Sequence, residues 1–138
     1  MVDFRLKHWT ASPHKLFVIS RPNDNKNPKE NEPKSLVFGC IAVRTKKSDK
    51  SQGKLDLWSV RADSMIEMKK MLLEAGLEAL KRKGLSSVVI TIKDSNEDDI
   101  SLLKENGFVL KNSKPVTSMV PGLHICHEVL RCTYVKMF

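Results

Sequence analysis

Four side chains of the types that bind metal ions lie close together near the end of the chain. They are His124, Cys126, His127 and Cys132. Imidazole and thiolate are common zinc ligands, but this spacing matches no zinc finger. In an extended strand, side chains alternate between two faces, so His127 would point away from the other three. We interpret the four as half-buried strand residues, and a zinc site stays open as the alternative.

The cysteines indicate the cellular compartment of the protein and not a catalytic role. The chain has three cysteines, an odd number without the spacing of a disulfide framework. We therefore predict reduced thiols and an intracellular, cytoplasmic protein. Cys40 lies in an apolar run, and because buried apolar thiols are inert we do not expect a cysteine nucleophile.

The balance of charge favours anionic partners. Lys and Arg number 24 against 16 Asp and Glu, a net charge of +8. Such a charge suits nucleotides, coenzyme A, acidic membranes or nucleic acid. Much of it lies in Arg21–Lys34 and Thr45–Lys54, where solubility is the simplest explanation. No nucleic-acid-binding motif is present: the sequence has no recognition-helix pattern and no zinc finger, and its aromatic residues are not interleaved with the basic stretches.

Charged side chains also surround the start of the clearest helix. Ser64 and Glu67 have the spacing of a capping box, in which the serine oxygen accepts the Glu67 N–H and the carboxylate reaches back. Such a cap contributes about 1 kcal/mol. It would also occupy the N–H groups that an anion needs, and Asp63 would add a second carboxylate.

The elements that position these residues follow from periodicity. Apolar residues at steps of three and four predict a helix over Met65–Arg82, ended by Gly84. A shorter helix is predicted over Asn96–Asn106, capped by Ser95 and closed by Gly107. Apolar runs predict strands, listed in chain order: Lys15–Ser20, Ser35–Arg44, Lys54–Arg61, Leu85–Ile92, Phe108–Lys111 and His124–Met137.

Three details refine this prediction. The apolar strand after the long helix indicates that Lys54–Arg61 and Leu85–Ile92 pair in parallel. Gly39 inside a strand indicates a bulge or a close backbone approach. Arg21–Lys34 has three prolines and no aliphatic or aromatic residue, so we expect it to be mobile. The length of 138 residues fits one domain, and no apolar stretch is long enough to span a membrane.

One run of residues matches a family pattern, Asn-x-x-Ala-x-x-Leu-Tyr-x-x-x-Gly-Phe. Here Asn96, Leu102, Gly107 and Phe108 keep their positions. Asp99 replaces the alanine and Leu103 replaces the tyrosine. The strand sequences Lys15-Leu-Phe-Val-Ile, Val37-Phe-Gly-Cys-Ile, Leu55-Asp-Leu-Trp-Ser-Val and Thr133-Tyr-Val-Lys-Met add to the match. The chain thus resembles the GCN5-related N-acetyltransferases (GNAT), most of all those of camello type, with a degraded acetyl-CoA motif.

The resemblance implies an α/β (α+β) fold with a mixed, mostly antiparallel sheet and a splayed parallel strand pair. One GNAT-like domain would cover residues 1–138, with 1–14 as an N-terminal extension and 21–34 as a flexible loop. The family has a first strand and two helices before the strand assigned to Lys15–Ser20. Fourteen residues are too few for all three, so we expect either a fragment of a longer protein or a variant with a shortened front and a less complete substrate cleft.

The resemblance also implies acetyl-CoA as the cofactor. Backbone N–H groups of Trp58, Ser59 and Val60 would bind the pantetheine arm, beside Asn96. The family's Gln/Arg-x-x-Gly-x-Gly/Ala phosphate turn corresponds to Ser64–Lys69, which lacks the glycines, or to an alignment starting at Arg61. The side chains implied to hold the phosphates instead are Arg61, Ser64, Lys69 and Lys70.

For catalysis, the resemblance implies Asp56 as the base that deprotonates the acceptor. Tyr134 would replace the missing tyrosine as the acid. Each also has a purely structural interpretation, Asp56 as a surface residue and Tyr134 as a strand residue. The implied function is acetyl transfer from acetyl-CoA to an unidentified amine; the alternative is a catalytically inactive binding or structural module, a pseudoenzyme.

Overall fold

The computed structural model describes residues 5–11, 14–22, 35–62, 64–120 and 125–138. These residues form seven strands and two helices. In chain order they are β1 (Arg5–Ala11), β2 (His14–Pro22), β3 (Ser35–Thr45), β4 (Gln52–Val60), α1 (Ile66–Arg82), β5 (Ser87–Lys93), α2 (Glu97–Glu105), β6 (Val109–Val120) and β7 (Ile125–Met137). None of the helices in these ranges is long and apolar enough to cross a membrane.

The strands form one mixed sheet in the order β1-β2-β3-β4-β5-β7-β6. Neighbouring strands are antiparallel except β4 and β5, which are parallel. The parallel register covers Gln52–Leu55 against Ser87–Ile90 and then stops. The predicted parallel pair and its splayed ends are therefore confirmed. Beyond Leu55 and Ile90 the two strands separate and leave a wedge in the middle of the sheet.

One face of the sheet carries both helices. Val88 and Ile90 of β5 share a hydrophobic core with Leu72 of α1 and with Leu102 of α2. Because side chains alternate along a strand, Val89 and Thr91 lie on the opposite face. The stripe of apolar residues that predicted α1 is the part that is buried: Met68, Leu72, Leu73, Leu77 and Leu80. The core thus lies on one side of the sheet, under the two helices.

The front of the chain differs from the prediction. Arg5–Ala11 forms strand β1, which pairs antiparallel with β2 and was not predicted. Only residues 12 and 13 join these strands, so the two helices that the family has ahead of β2 do not lie between them, as the shortened front implied. Of the stretch expected to be mobile, Arg21 and Pro22 belong to β2. Residues 23–34 lie outside the described residues, and so does His124 of the predicted last strand.

Both predicted helix caps are wrong. The residue that precedes α1 is Met65, and no side chain caps this helix. The Ser64 N–H bonds instead to the Arg61 carbonyl at 2.9 Å, in a turn before the helix. Asn96, and not Ser95, precedes α2, again with no side-chain cap. The predicted end at Gly107 is confirmed, because its φ of +85° is a conformation that glycine adopts without strain.

The close approach predicted at Gly39 is present. A Cβ atom there would lie 2.7 Å from Val60 Cγ1 and 2.9 Å from the Ser59 carbonyl oxygen. We expect Gly39→Ala to lower the free energy of unfolding by about 2 kcal/mol, because backbone atoms must move to relieve the clash. Urea denaturation measures the change. Val37→Ala, on an exposed position of β3, is the control and should stay within about 0.5 kcal/mol; equal effects would contradict the close approach.

Candidate functional site

The wedge between β4 and β5 opens into a cleft of about 600 Å³. Both strands and the residue that precedes α2 contribute to its wall. The lining residues are Lys54, Leu55, Asp56, Leu57, Trp58, Ser59, Ile90, Thr91, Ile92, Lys93, Asn96, Asp99 and Arg131. A second hollow of about 550 Å³ shares Trp58, Ser59, Asn96 and Asp99 and adds Lys69 of α1. The two hollows together run from the sheet to the gap between the helices.

A bulge in β4 shapes the wall of this cleft. Cys40 pairs with Ser59 and Ala42 with Asp56, so two residues of β4 stand opposite Ile41. One of the two, Leu57, has a φ of +53° and is 70% exposed. A positive φ is strained for a leucine, and such strain is often found at functional sites. The bulge changes the face of the sheet to which the following side chains of β4 point. It also interrupts the hydrogen-bond ladder between β3 and β4 beside the wedge.

An ion pair joins the two helices at the cleft. The Lys69 ammonium contacts the Asp99 carboxylate and lies 4.7 Å from the centre of the Trp58 ring. The Trp58 indole N–H donates to the Lys69 carbonyl at 2.9 Å. The Asp99 side chain is only 8% exposed. Lys69, which the sequence assigned to the phosphates, is therefore held by Asp99 and Trp58.

Asp56 lies on the cleft wall and is half-buried. Its carboxylate accepts a hydrogen bond from Arg44 Nε at 3.2 Å and lies 3.9 Å from Lys54 Nζ. Two cations thus balance its charge, while about a third of the side chain stays exposed. The predicted base is therefore at the cleft, with its orientation fixed by Arg44.

The turn before α1 leaves the helix N-terminus open. No side chain caps the helix, and among its first N–H groups that of Met68 bonds to the Met65 carbonyl at 3.1 Å. Ser64 Oγ is buried without a hydrogen-bond partner among the described residues. The Arg61 guanidinium lies 5.1 Å from the centre of the Phe38 ring, and Lys70 is exposed. An uncapped helix start beside an unpartnered hydroxyl is suited to a phosphate.

The other predicted site residues are divided between the cleft and the core. Asn96 lines both hollows, and its amide is not used as a helix cap. Tyr134 is 4% exposed in the core. Burial raises the pKa of its phenol, as does the nearby Cys132 thiol. Leu103, at the family's tyrosine position, is fully buried, so the core and not the cleft occupies this position of the motif.

The remaining candidates lie away from the cleft wall or outside the described part. Val60 ends β4, Arg61 and Ser64 lie between β4 and α1, and Lys70 lies in α1. None of these four lines the larger hollow. Of the four metal-ligand types, Cys132 is buried in the core. His124 and the side chains of Cys126 and His127 lie outside the described residues.

Two charged features of the site were not predicted from the sequence. Lys93 and Arg131 line the cleft and stand opposite each other on β5 and β7. Only the pairing of these two strands, which are separated in the sequence by α2 and β6, brings them together. Asp99 was noted as a departure from a motif, but its contact with Lys69 depends on how the two helices pack.

Comparisons with solved structures identify the fold. No family model and no curated protein matches this sequence. A GNAT-family acetyltransferase from Streptococcus pneumoniae has a TM-score of 0.65 at 14% identity, covering 94% of this chain and 70% of that one. Ribosomal-protein-alanine N-acetyltransferase from Brucella melitensis has a TM-score of 0.63 at 13% identity, covering 91% and 69%.

A third solved structure, an acetyltransferase from Bacillus subtilis in complex with CoA, covers 99% of both chains. Its TM-score is 0.66 and its identity 10%. At such low identities the similarity shows the fold alone. This chain has the GNAT acyl-CoA N-acyltransferase fold, with the splayed parallel pair β4–β5 that the sequence predicted.

Proposed function

We propose that this protein binds acetyl-CoA in the cleft between β4 and β5 and transfers the acetyl group to an amine. The observation that carries the proposal is the wedge itself, bordered by the bulge at Leu57. Beyond Leu55, β4 has no registered partner on its β5 side, so backbone groups around Trp58, Ser59 and Val60 are available to a ligand in the wedge. Similar solved structures include an acetyltransferase in complex with CoA, which supports this cofactor.

The residues before and at the start of α1 fit a diphosphate. The Ser64 hydroxyl lacks a partner among the described residues, the helix start is uncapped, and Arg61 and Lys70 add positive charge. Acetyl-CoA would supply an activated thioester. In this proposal Asn96 contacts the pantetheine arm, and Asp56 accepts the proton from the attacking amine. Lys69 is not assigned to the phosphates, because Asp99 and Trp58 hold it.

The second candidate function is an inactive module with the same fold, possessing the cleft but no turnover. The ion pair of Lys69 and Asp99 favours the inactive module. It joins α1 to α2 beside the smaller hollow, and it holds a lysine that the resemblance implied for the phosphates. The replacement of the motif tyrosine by the buried Leu103 also favours it. The camello-type assignment belongs to the active alternative and rests on the strand sequences alone.

Two measurements on the same preparation separate these functions. Calorimetric titration with acetyl-CoA at low salt measures binding. Release of the coenzyme A thiol in the presence of a panel of amines measures transfer. We expect both signals. Binding without thiol release for any amine would support the inactive module, and absence of binding would refute the cofactor assignment.

The start of α1 offers a sharper check of where coenzyme A lies. Glu67 is exposed in the first turn of the helix and makes no capping bond. We expect Glu67→Gln to tighten coenzyme A binding about threefold at low salt, the effect of one exposed charge at a helix terminus. The gain should diminish in 0.5 M salt because such charges are screened.

Glu74→Gln is the matched control for this change, since Glu74 is also exposed on α1 but two turns further along. Its coenzyme A affinity should equal that of the native protein. An unchanged affinity in Glu67→Gln, or an equal gain in both variants, would place the phosphates elsewhere.

A further inference from the structure

Three cations stand side by side on neighbouring strands at the edge of the cleft. Lys93 of β5 is in register with Arg131 of β7, and Arg131 is in register with Lys114 of β6. All three are exposed. We call these three residues the cation row. They come from three separate parts of the sequence, so the sheet and not a basic stretch of sequence brings them together.

The cation row is unfavourable for the isolated protein. Residues directly opposite on antiparallel strands have Cβ atoms about 5 Å apart, and like charges there repel. In the described ranges, no carboxylate forms an ion pair with Lys93, Arg131 or Lys114, whereas the cations of Arg44, Lys54, Lys69 and Arg82 each lie within 4 Å of one. Repulsion without local compensation is what a binding site for anions presents before its ligand arrives.

Polar groups on the same face of the sheet complete this surface. Thr91 Oγ1 and Thr133 Oγ1 lie 3.3 Å apart. Together with Asn112, Lys114 and Arg131 they line a hollow of about 250 Å³ beside the cleft. Hydroxyl and amide groups can donate to carboxylate oxygens, and a charge-assisted bond of this kind is stronger than a neutral one. The surface therefore combines cations with neutral donors.

The cation row is continuous with the proposed acceptor side of the cleft. Lys93 and Arg131 line the cleft together with Asp56, and strand alternation places all three on the face opposite the helices. The Asp56 charge is already balanced by Arg44 and Lys54, so it does not neutralise the row. An amine that reaches Asp56 would have the row beside it.

We infer that the cation row binds the acidic part of a polypeptide acceptor whose terminal amine enters the cleft. This inference rests on the proposed acetyl transfer. A row across three strands spans about 10 Å. Carboxylates on one face of an extended peptide repeat at about 7 Å, so two of them can engage the row at once. A single small carboxylate would engage only part of it, and for this reason charge and dimensions favour an acidic peptide.

The test uses two octapeptides, each with a free terminal amine. They differ only at the second to fourth positions, which are all Glu in the Glu peptide and all Gln in the Gln peptide. Thiol release gives kcat/KM for each peptide, and fluorescence anisotropy of labelled copies gives binding without acetyl-CoA. We expect the Glu peptide to be favoured about tenfold in both measurements. Arg131→Glu should abolish the preference for the Glu peptide in both measurements. Lys47→Glu, on an exposed loop position, should retain it.

The outcomes of the two measurements can be told apart. Transfer to both peptides at equal rates would overturn the inference and leave the proposed activity intact. The native protein could bind the Glu peptide selectively, lose this selectivity in Arg131→Glu, and transfer no acetyl group. That result would support the acidic-peptide site and refute the activity. The assignment to a polypeptide would be overturned if free glutamate, or a short RNA of the same charge, displaced the labelled peptide as well as the unlabelled Glu peptide does.

Discussion

Replacing Asp99 by alanine is expected to lower the free energy of unfolding by about 3 kcal/mol. The substitution leaves the Lys69 ammonium without its partner in a site where the lysine side chain is 18% exposed and the aspartate 8%. A buried charge that loses its partner keeps the cost of its removal from water, and measured losses for such cases are about 3–5 kcal/mol. Urea denaturation with a fixed m-value measures the change.

The double variant Lys69→Met/Asp99→Leu is the matched control for this prediction. It removes both charges and fills the same space with apolar groups, so its stability should return to within about 1 kcal/mol of the native value. The methionine can still pack on the Trp58 ring, which Lys69 covers in the native protein. A double variant as unstable as Asp99→Ala would show that packing around Asp99, and not an uncompensated charge, causes the loss.

Replacing Asp56 by asparagine is expected to reduce kcat about 100-fold at saturating acetyl-CoA. The asparagine oxygen can still accept the hydrogen bond that Arg44 Nε gives to the carboxylate, so the local structure should persist. The amide cannot take the proton of the attacking amine, and loss of a general base typically costs 10²–10⁴-fold, so the expected fall lies at the lower end of that range. Steady-state thiol release measures the change.

Glu105→Gln is the comparison for the Asp56 variant, because it removes one exposed carboxylate from α2 without touching the cleft. Its kcat should remain within a factor of two, as expected for an exposed residue without contacts to the site. If Asp56→Asn falls by less than threefold, Asp56 serves only as the partner of Arg44, and the proton must leave through another group.

The sequence predicted those parts of the fold in which packing against distant residues leaves a recognisable pattern among neighbouring residues. The stripe of apolar residues on α1 exists because one side of the helix covers the sheet, so its period was readable from the residues. The apolar run now seen as β5 is buried on both faces in its first half, Ser87–Ile90, as a central parallel strand requires. Gly39 was informative for the same reason, since only close backbone packing needs a glycine there.

The features that were not predicted depend on contacts between distant residues. Ser64 has the sequence of a capping residue, but its N–H is committed to a turn with Arg61, and the helix starts later, at Ile66. Lys69 looked like a free cation until the packing of α2 placed Asp99 beside it. The cation row needs the pairing of β5 with β7 and of β7 with β6, which no local pattern encodes.

The parallel register between β4 and β5 has a consequence for the order in which the protein folds. The sheet consists of two antiparallel groups, β1 to β4 and β5-β7-β6, and the β4–β5 pair is the seam between them. The seam has four registered residue pairs, Gln52–Leu55 with Ser87–Ile90, whereas every antiparallel neighbour pair has six or more. It is also closed by a long crossover through α1, which adds loop-closure entropy.

We therefore expect the seam to form late in folding and to open first in partial unfolding. The cleft begins where the seam ends, so a ligand that contacts both strands would hold together the two groups at their weakest junction.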